Sequence, residues 1–311
     1  MAGLACAGAL HAAGATVTLF DKGRSPGGRI ATRRVDGLRF DHGAQYATSR
    51  DPTFAATMQA MKAAGDAAEW PAAGDGRWSG TPGMSAMARH MERAGVGTLR
   101  NGRHVAFLHR SKAGWTVRHH DAATVPPSLV QDSGGETDGP FDRVAVAMPA
   151  PQAAGLLASH PFALDAARAG MAPCWALMLA FDTPTTAPDI LHPEGPLGWI
   201  ARDSSRPGRA PLPECWVAHA TSAWSRTHLE DPPATVQATL QAAFTAATGI
   251  DAPPLYAGLH RWRYAKADAP LGVPALWDPT AGLGVCGDWC LAARVEAAFL
   301  SGRALAAMIL A

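Results

Sequence analysis

TVTLFDKGRSPGGRIATRR, residues Thr16 to Arg34, is the stretch around which the rest of the chain is arranged. Val17, Leu19 and Phe20 make a short apolar run that reads as a buried strand. The strand ends on a carboxylate, Asp21, and a turn-rich loop from Lys22 to Pro26 leads to the pair Gly27-Gly28 and then Arg29. In dinucleotide-binding sheets an acid at the end of the second strand accepts hydrogen bonds from ribose hydroxyls. A glycine pair lets backbone approach a ligand closely, and an arginine beside it offers a planar charge to a phosphate. The pattern points to a bound dinucleotide, and the glycine pair with Arg29 favours FAD over NAD.

Working outward, Gly3 to Ala13 is small and apolar, and Gly14 stands where a helix stops. This is the helix that follows a first strand and a G-x-G-x-x-G turn. Gly3 takes the third-glycine position, so the first strand and the first two glycines would lie before Met1. An extension of about ten residues, enough for a strand and the turn, is expected to improve both folding and FAD retention. The competing reading of this Ala-rich segment is a signal peptide. It lacks a positive n-region and runs straight into the Val17–Asp21 strand, which disfavours that reading.

At 311 residues the chain suffices for one large or two ordinary domains. A net charge of +1 gives no global field to recruit nucleic acid or an anionic membrane. Arginine far outnumbers lysine, as in bacterial-type, GC-rich coding, so single arginines carry little weight. Five cysteines form an odd set with no disulfide framework, which favours a reducing, cytoplasmic setting. Cys286-x-x-x-Cys290 has no second pair and no histidine at ligand spacing, so no metal site is expected. No apolar run is long and charge-free enough to span a bilayer.

Further along, Val35 to Leu38 reads as a strand-turn-strand, followed by RFDHGAQYATSR (39–50). There Asp41, His42, Gln45 and Tyr46 are ligand candidates against the plainer reading of a loop with a core histidine. Phe54, Met58 and Met61 recur at helical spacing, and Met84 to Ala94 is helical again. Val105 to Val117 reads as two strands about a turn at 111–114, and 122–139 as a surface loop. Phe141 to Met148 reads as a buried strand, with a helix opening at Pro151. From Pro151 to Pro254 tryptophan-bearing strand runs, Trp199 among them, alternate with a helix over 236–248. Tryptophans on strands can wall a pocket for a flat ligand, although core packing is their default. The tract 203–213 reads as a mobile surface loop. In HRWRYA (260–265), Arg261 and Arg263 face away from Trp262 if the segment is a strand.

Near the C-terminus a short strand, Leu283 to Val285, leads through Cys286-Gly287-Asp288-Trp289 into a helix running to Ile309. Gly287 permits close approach, Asp288 can accept bonds from ribityl hydroxyls, and the helix N-terminus can face a pyrophosphate. Arg294 and Val295 join the cofactor set on this helix. The plainer alternative is an aspartate that caps the helix.

Six segments, AGLACAGAL, TVTLFDKGRSPGGRIATRR, FDHGAQY, AVAMPAPQA, HRWRYA and GVCGDWCLAARVEAAFLSG, resemble the renalase-like branch of the flavin amine oxidase superfamily. The resemblance implies an α/β fold with a discontinuous, Rossmann-type FAD domain (1–51, 92–150 and 256–311), its first strand absent. An α+β substrate domain with an antiparallel or mixed sheet (52–91 and 151–255) completes it. It matches Asp21 to the ribose acid, Gly27, Gly28 and Arg29 to the second flavin motif, and Asp288 to the C-terminal one. It places Gln45 and Tyr46 beneath the flavin ring and Val105 on the adenine-side strand. The cysteine that attaches flavin covalently in some monoamine oxidases has no counterpart here, so FAD is expected to be non-covalent. No segment matches those enzymes' flavin-facing lysine, Lys266 lacking the motif, and no catalytic base is assigned. The implied activity is hydride transfer to flavin from misreduced dihydronicotinamide dinucleotides, with molecular oxygen as acceptor. Arg261 and Arg263 would hold substrate phosphates, with His42, Trp199, Trp262 and Trp289 around the ring. The alternatives are an amine oxidase, a desaturase, or a non-catalytic remnant that only binds.

Overall fold

In a computed structural model the described residues are 1–125 and 134–311. The chain forms two compact units: residues 1–28, 88–171 and 267–311 make the first, and 29–87 and 172–266 the second.

The first unit is of mixed α/β character. The strand Thr18–Asp21 pairs in parallel with Thr98–Asn101. Val144–Val146 pairs in parallel with Leu283–Val285, which takes Leu276–Asp278 antiparallel on its other edge. Leu283 and Val285 have no exposure, as expected of parallel strands covered on both faces. Thr18–Asp21 is half-buried along its whole length rather than buried as its apolar run predicts. The helix Ala2–Ala12 lies on Val295–Leu310 through small residues: a Cβ on Gly302 would fall 2.1 Å from the Ala2 carbonyl oxygen. Gly14, at φ +89°, ends the first helix where expected.

Arg103–Ser111 and Gly114–Asp121 form the expected hairpin, extended by Glu136–Phe141 as a third antiparallel strand. The loop expected over 122–139 is thus a strand from Glu136, and its stretch 126–133 lies outside the described residues. The helix expected to run unbroken to Ile309 is interrupted. Asp288–Leu291 is a single turn, the backbone extends through Ala292, and the long helix starts at Val295 with Arg294 as its N-cap.

The second unit is built on a five-stranded sheet in the order Ile190–Leu191, Leu197–Arg202, Glu214–Ala220, Gly170–Phe181 and Tyr256–Ala269. The period-two pattern of Gly170–Phe181 sorts its residues to two faces. Trp175, Leu177, Leu179 and Phe181 pack with Val236, Leu240 and Phe244 of the helix Pro233–Thr248. Met178 and Ala180 pack with Leu38 and Phe40, from the hairpin Arg33–Val35/Leu38–Phe40. That hairpin turns at Asp36 (φ +49°) and Gly37 (φ +80°), the left-handed pair that matches strand twist. Phe54, Met58 and Met61 are fully buried on the helix Pro52–Ala63, whose start is capped by Asp51. Residues 29–51 and 256–266, placed with the FAD domain by the sequence, pack within this unit because their strands join its sheets. Residues 151–171 pack within the first unit instead, as Ala153, Leu157, Ala166 and Ala169 join the apolar core around Val146, Leu283 and Val285.

The loop expected over 203–213 is corrected by the structure. Asp203, Ser204 and Arg206 are buried, and Asp203–Ser205 is a turn of 3-10 helix. Among the described residues no helix is long and apolar enough to cross a membrane.

Candidate functional site

In the first unit the candidate residues gather at strand ends. Asp21 terminates its strand, and its Oδ1 accepts the Gly23 N–H at 2.7 Å. Burial pushes the Asp21 carboxyl above its usual range, with the Gly23 N–H opposing the shift. A carboxylate in that state is stabilised by added hydroxyl donors, so it fits a ribose. Lys22 is exposed next to it and depresses the titration of His104, after burial. Gly27 (φ +126°) and Gly28 (φ +56°) adopt backbone that a side chain disfavours, so the glycine pair is required by the turn itself. Val105 is half-buried opposite His119, at a bulge in the hairpin.

At the C-terminal motif the Gly287 N–H donates to Ser301 Oγ at 3.0 Å. A Cβ on Gly287 would lie 2.6 Å from the Trp289 indole nitrogen, so this glycine is fixed by packing. Asp288 is buried, and Arg294 and Val295 open the long helix. Trp289 is fully buried and its indole N–H donates to the Met148 carbonyl at 2.9 Å. It is therefore a core residue and does not line an open site. A Cβ on Gly3 would come 3.2 Å from the Ala147 side chain, which makes Gly3 a close-packing glycine.

In the second unit the segment 41–46 is held by a buried four-charge cluster. Asp41 and Asp203 have no exposed side-chain surface, and Arg206 has none either. Arg209 joins Asp41 Oδ2 at 2.6 Å and Asp203 Oδ2 at 2.9 Å. Arg206 binds Asp203 through Nε and lies 3.9 Å over the Trp70 ring. Thr32 Oγ1 (2.6 Å) and the Met84 N–H (2.9 Å) donate to Asp41 Oδ1. Two carboxylates and two guanidinium groups balance, and each is hydrogen-bonded, as buried charge demands. Burial pushes the Asp203 carboxyl up, but Arg206 and Arg209 pull it further down, to a net position below its usual range.

The same arginine saturates Gln45. Arg206 Nη1 donates to the Gln45 carbonyl, and Nη2 to Oε1 at 3.0 Å. Trp199 Nε1 donates to Oε1 at 3.1 Å, while Gln45 Nε2 donates to the Asp41 and Gly43 carbonyls. The amide thus spends both lone pairs and both protons inside the protein. Tyr46 lies 5.8 Å from Trp199, with Arg77 4.4 Å over its ring.

His42 is clamped between rings. It stacks on Trp262 (5.1 Å, 29°) and meets His260 edge-on (4.7 Å, 88°). Its carbonyl accepts Trp262 Nε1 at 2.8 Å and His219 Nε2 at 3.0 Å. Burial, His260 and Arg33 push the His42 imidazole down to about 3, and burial brings His219 to about 4. Burial with Arg33 also brings His260 to about 4, so all three rings are neutral at pH 7. Arg33 Nη2 meets His260 Nδ1 at 3.3 Å, which makes that nitrogen an acceptor.

On the Tyr256–Ala269 strand the expected alternation is present: Trp262 faces His42, whereas Arg261 (2.9 Å) and Arg263 bind the exposed Glu230 carboxylate. Arg29 Nη1 donates to the Ala265 carbonyl at 3.2 Å. The structure thus brings together His42, Gln45, Tyr46, Trp199 and Trp262 in one unit, and leaves Arg261 and Arg263 on another face. Sequence reasoning missed Asp203, Arg206, Arg209, His219 and Gly43. The i, i+3 spacing of Asp203, Arg206 and Arg209 was a usable signal, hidden by the Gly/Pro content of the tract. Gly43 is demanded by packing, since a Cβ there would fall 2.1 Å from the Arg29 carbonyl oxygen.

Comparison with known proteins places this arrangement. A model of an NAD(P)-binding Rossmann-like domain matches residues 1–61, and the model of flavin containing amine oxidoreductases matches 67–310. The chain belongs to the flavin-containing amine oxidoreductase family. It is an FAD-dependent oxidoreductase of that family. Its fold is similar to a protein named as a protoporphyrinogen oxidase from Exiguobacterium sp. 255-15, with TM-score 0.76 and 10% identity over 99% of this chain and 96% of that one. It is also similar to cyclohexylamine oxidase from Brevibacterium oxydans IH-35A, with TM-score 0.66 and 14% identity over 98% and 96%. A putrescine oxidase bound to putrescine gives TM-score 0.62 and 12% identity over 99% and 96%.

Proposed function

We propose that this flavoenzyme oxidises a dihydronicotinamide-type donor, as in the renalase-like branch, rather than a protonated amine. The observation that supports this reading is the charge around His42. The charged group acting on it is Arg33, and the neighbouring His260 and His219 rings are neutral at pH 7. A desolvated site next to a guanidinium disfavours a cation and accepts an uncharged or anionic ring.

Bound flavin would take hydride from the donor and pass the electrons to molecular oxygen, giving hydrogen peroxide. The first unit would serve as the FAD side and hold the cofactor without a covalent bond. Asp21 would accept the ribose hydroxyls, with Lys22 and Val105 beside the adenosine. Gly3, Gly27, Gly28 and the Val295 helix start, with Arg294, would give backbone and charge to the pyrophosphate. Gly287 and Asp288 would meet the ribityl chain. The second unit would be the substrate side. There Arg29 offers charge, Gln45 acts by bracing the 41–46 backbone, and Tyr46, Trp199 and Trp262 offer flat surface. Arg261 and Arg263 would hold phosphates by exchanging Glu230 for them.

The test is anaerobic flavin bleaching with a panel of dihydronicotinamide isomers, primary amines and apolar polyenes. Rapid bleaching by a dihydronicotinamide alone is the expected result. Bleaching by an amine and not by any dihydropyridine would replace this reading with amine oxidation.

A further inference from the structure

The antiparallel sheet of Arg103–Ser111, Gly114–Asp121 and Glu136–Phe141 commits one face to the core of the first unit, where Leu108, Trp115 and Phe141 pack. Alternate residues stand on the opposite face. There Phe107, His109, Thr116, Arg118 and Thr137 line a cavity of about 370 Å³, within the range of small-ligand pockets. The register sets them in two rows. Phe107 lies opposite Arg118, which lies opposite Thr137, and His109 lies opposite Thr116. The Phe107 and His109 rings are parallel to within 14°, with centres 6.4 Å apart. Phe107 is only half-buried and His109 is exposed, so both rings keep aromatic surface in contact with solvent. Arg118 stands 5.8 Å over the Phe107 ring, which brings a planar cation to the same surface. Thr116 donates to the His109 carbonyl at 3.4 Å and keeps its hydroxyl oxygen as an acceptor.

A ligand that uses all of this has a flat ring for the aromatic surface, an anion for the guanidinium, and polar groups for the hydroxyls and the imidazole. We propose that the cavity binds a nucleotide, with its base stacked on Phe107 and His109 and its phosphate on Arg118. The site is distinct from the flavin contacts proposed above. Val105 pairs with His119 and Phe107 with Arg118, so the register shift between Val105 and Phe107 turns these two side chains to opposite faces of the sheet. The inference is independent of the donor that reduces the flavin.

The experiment is calorimetric titration of the FAD-loaded enzyme with three probes: adenosine 5′-monophosphate, adenosine and inorganic phosphate. The nucleotide should bind in one equivalent per chain, adenosine more weakly, and phosphate more weakly still. Phe107→Ala should weaken both the nucleotide and adenosine roughly tenfold, the scale of one lost base–aromatic stack. Arg118→Ala should weaken the nucleotide by a similar factor and leave adenosine unchanged, and Arg118→Lys, which keeps the charge but not the fork, should recover part of the loss. FAD content and the rate of anaerobic flavin bleaching should stay at wild-type values in all three variants. No binding of the nucleotide, or wild-type affinity for it in either alanine variant, would overturn the inference. So would adenosine binding as tightly as the nucleotide, since Arg118 would then hold no phosphate. Phosphate binding as tightly as the nucleotide would mean an adventitious ion only, and would overturn it too. Should Phe107→Ala lose its flavin, Phe107→Leu, which stays apolar but has no ring, decides in its place: a tenfold loss supports the inference, and wild-type affinity overturns it.

Discussion

Arg206 shows how one side chain can fix a site without touching a ligand. It compensates Asp203 and Asp41 and holds both the carbonyl and the amide of Gln45. Arg206→Met should cost on the order of 3–5 kcal/mol, because it strands buried carboxylate charge. Urea unfolding measures this, and a variant as stable as wild type would show that the cluster is neutral at Asp203. Arg206→Lys keeps the charge but not the planar fork, so it should recover only part of the loss. His42 gives a pH signature. Its folded value of about 3 lies below its ordinary 6.5, so the unfolded chain takes up the proton first. The stability is therefore complete above pH 6.5 and is lost as pH falls from there toward 3. At pH 5 the loss from His42 is about 2 kcal/mol. Urea midpoints at pH 7.5 and pH 5 should accordingly differ less in His42→Phe than in wild type.

At the scale of elements, backbone approach decides more than propensity. The loop carrying His42 and Gln45 lies against Arg29 so closely that Gly43 admits no Cβ, and the Ala44 N–H donates to the same Arg29 carbonyl at 2.9 Å. Both atoms in conflict are backbone, so Gly43→Ala should cost about 1–3 kcal/mol or more in thermal unfolding. It should also slow anaerobic flavin bleaching by a dihydronicotinamide donor, if 41–46 braces the substrate side as proposed. A Tm equal to wild type would mean that the loop can move away at no cost. The Tyr256–Ala269 strand makes the opposite point. Arg261 and Arg263 stand on its exposed side with Glu230, a pairing that solvent screens. Arg263→Ala should leave Tm unchanged but raise KM for a dinucleotide donor more than for a bare dihydronicotinamide, with kcat retained. Equal effects on the two donors would end the phosphate role. The strand could be read from HRWRYA because alternation is local, whereas the partner Glu230 could not.

For the molecule as a whole, flavin retention is the property that tests the roles proposed for the motifs at the two ends of the chain. Asp288→Ala removes a buried acceptor, and a lost charge-assisted hydrogen bond is worth about 1.5–3 kcal/mol. The purified variant should carry markedly less FAD, released by acid precipitation, and unchanged flavin content would take Asp288 out of the site. What the sequence by itself determined is what is written locally. The Val17–Asp21 strand and its acid, the Gly27-Gly28 turn, the hairpin at Asp36-Gly37 and the Met58 helix each follow from a periodicity or a backbone conformation that a few neighbouring residues dictate. The flavin family was legible for the same reason, since its motifs are short glycine and acid patterns at strand ends. Only the tertiary structure decided that a Gly/Pro-rich tract supplies Arg206 and Arg209 to Asp41, more than 160 residues away in the chain. It alone spent the Gln45 amide within the protein, buried Trp289 in a core and left His42 Nδ1 unpaired. Those outcomes depend on which distant segments meet, and no local pattern records that, because a buried charge or an unsatisfied nitrogen is defined by its surroundings and not by its sequence neighbours.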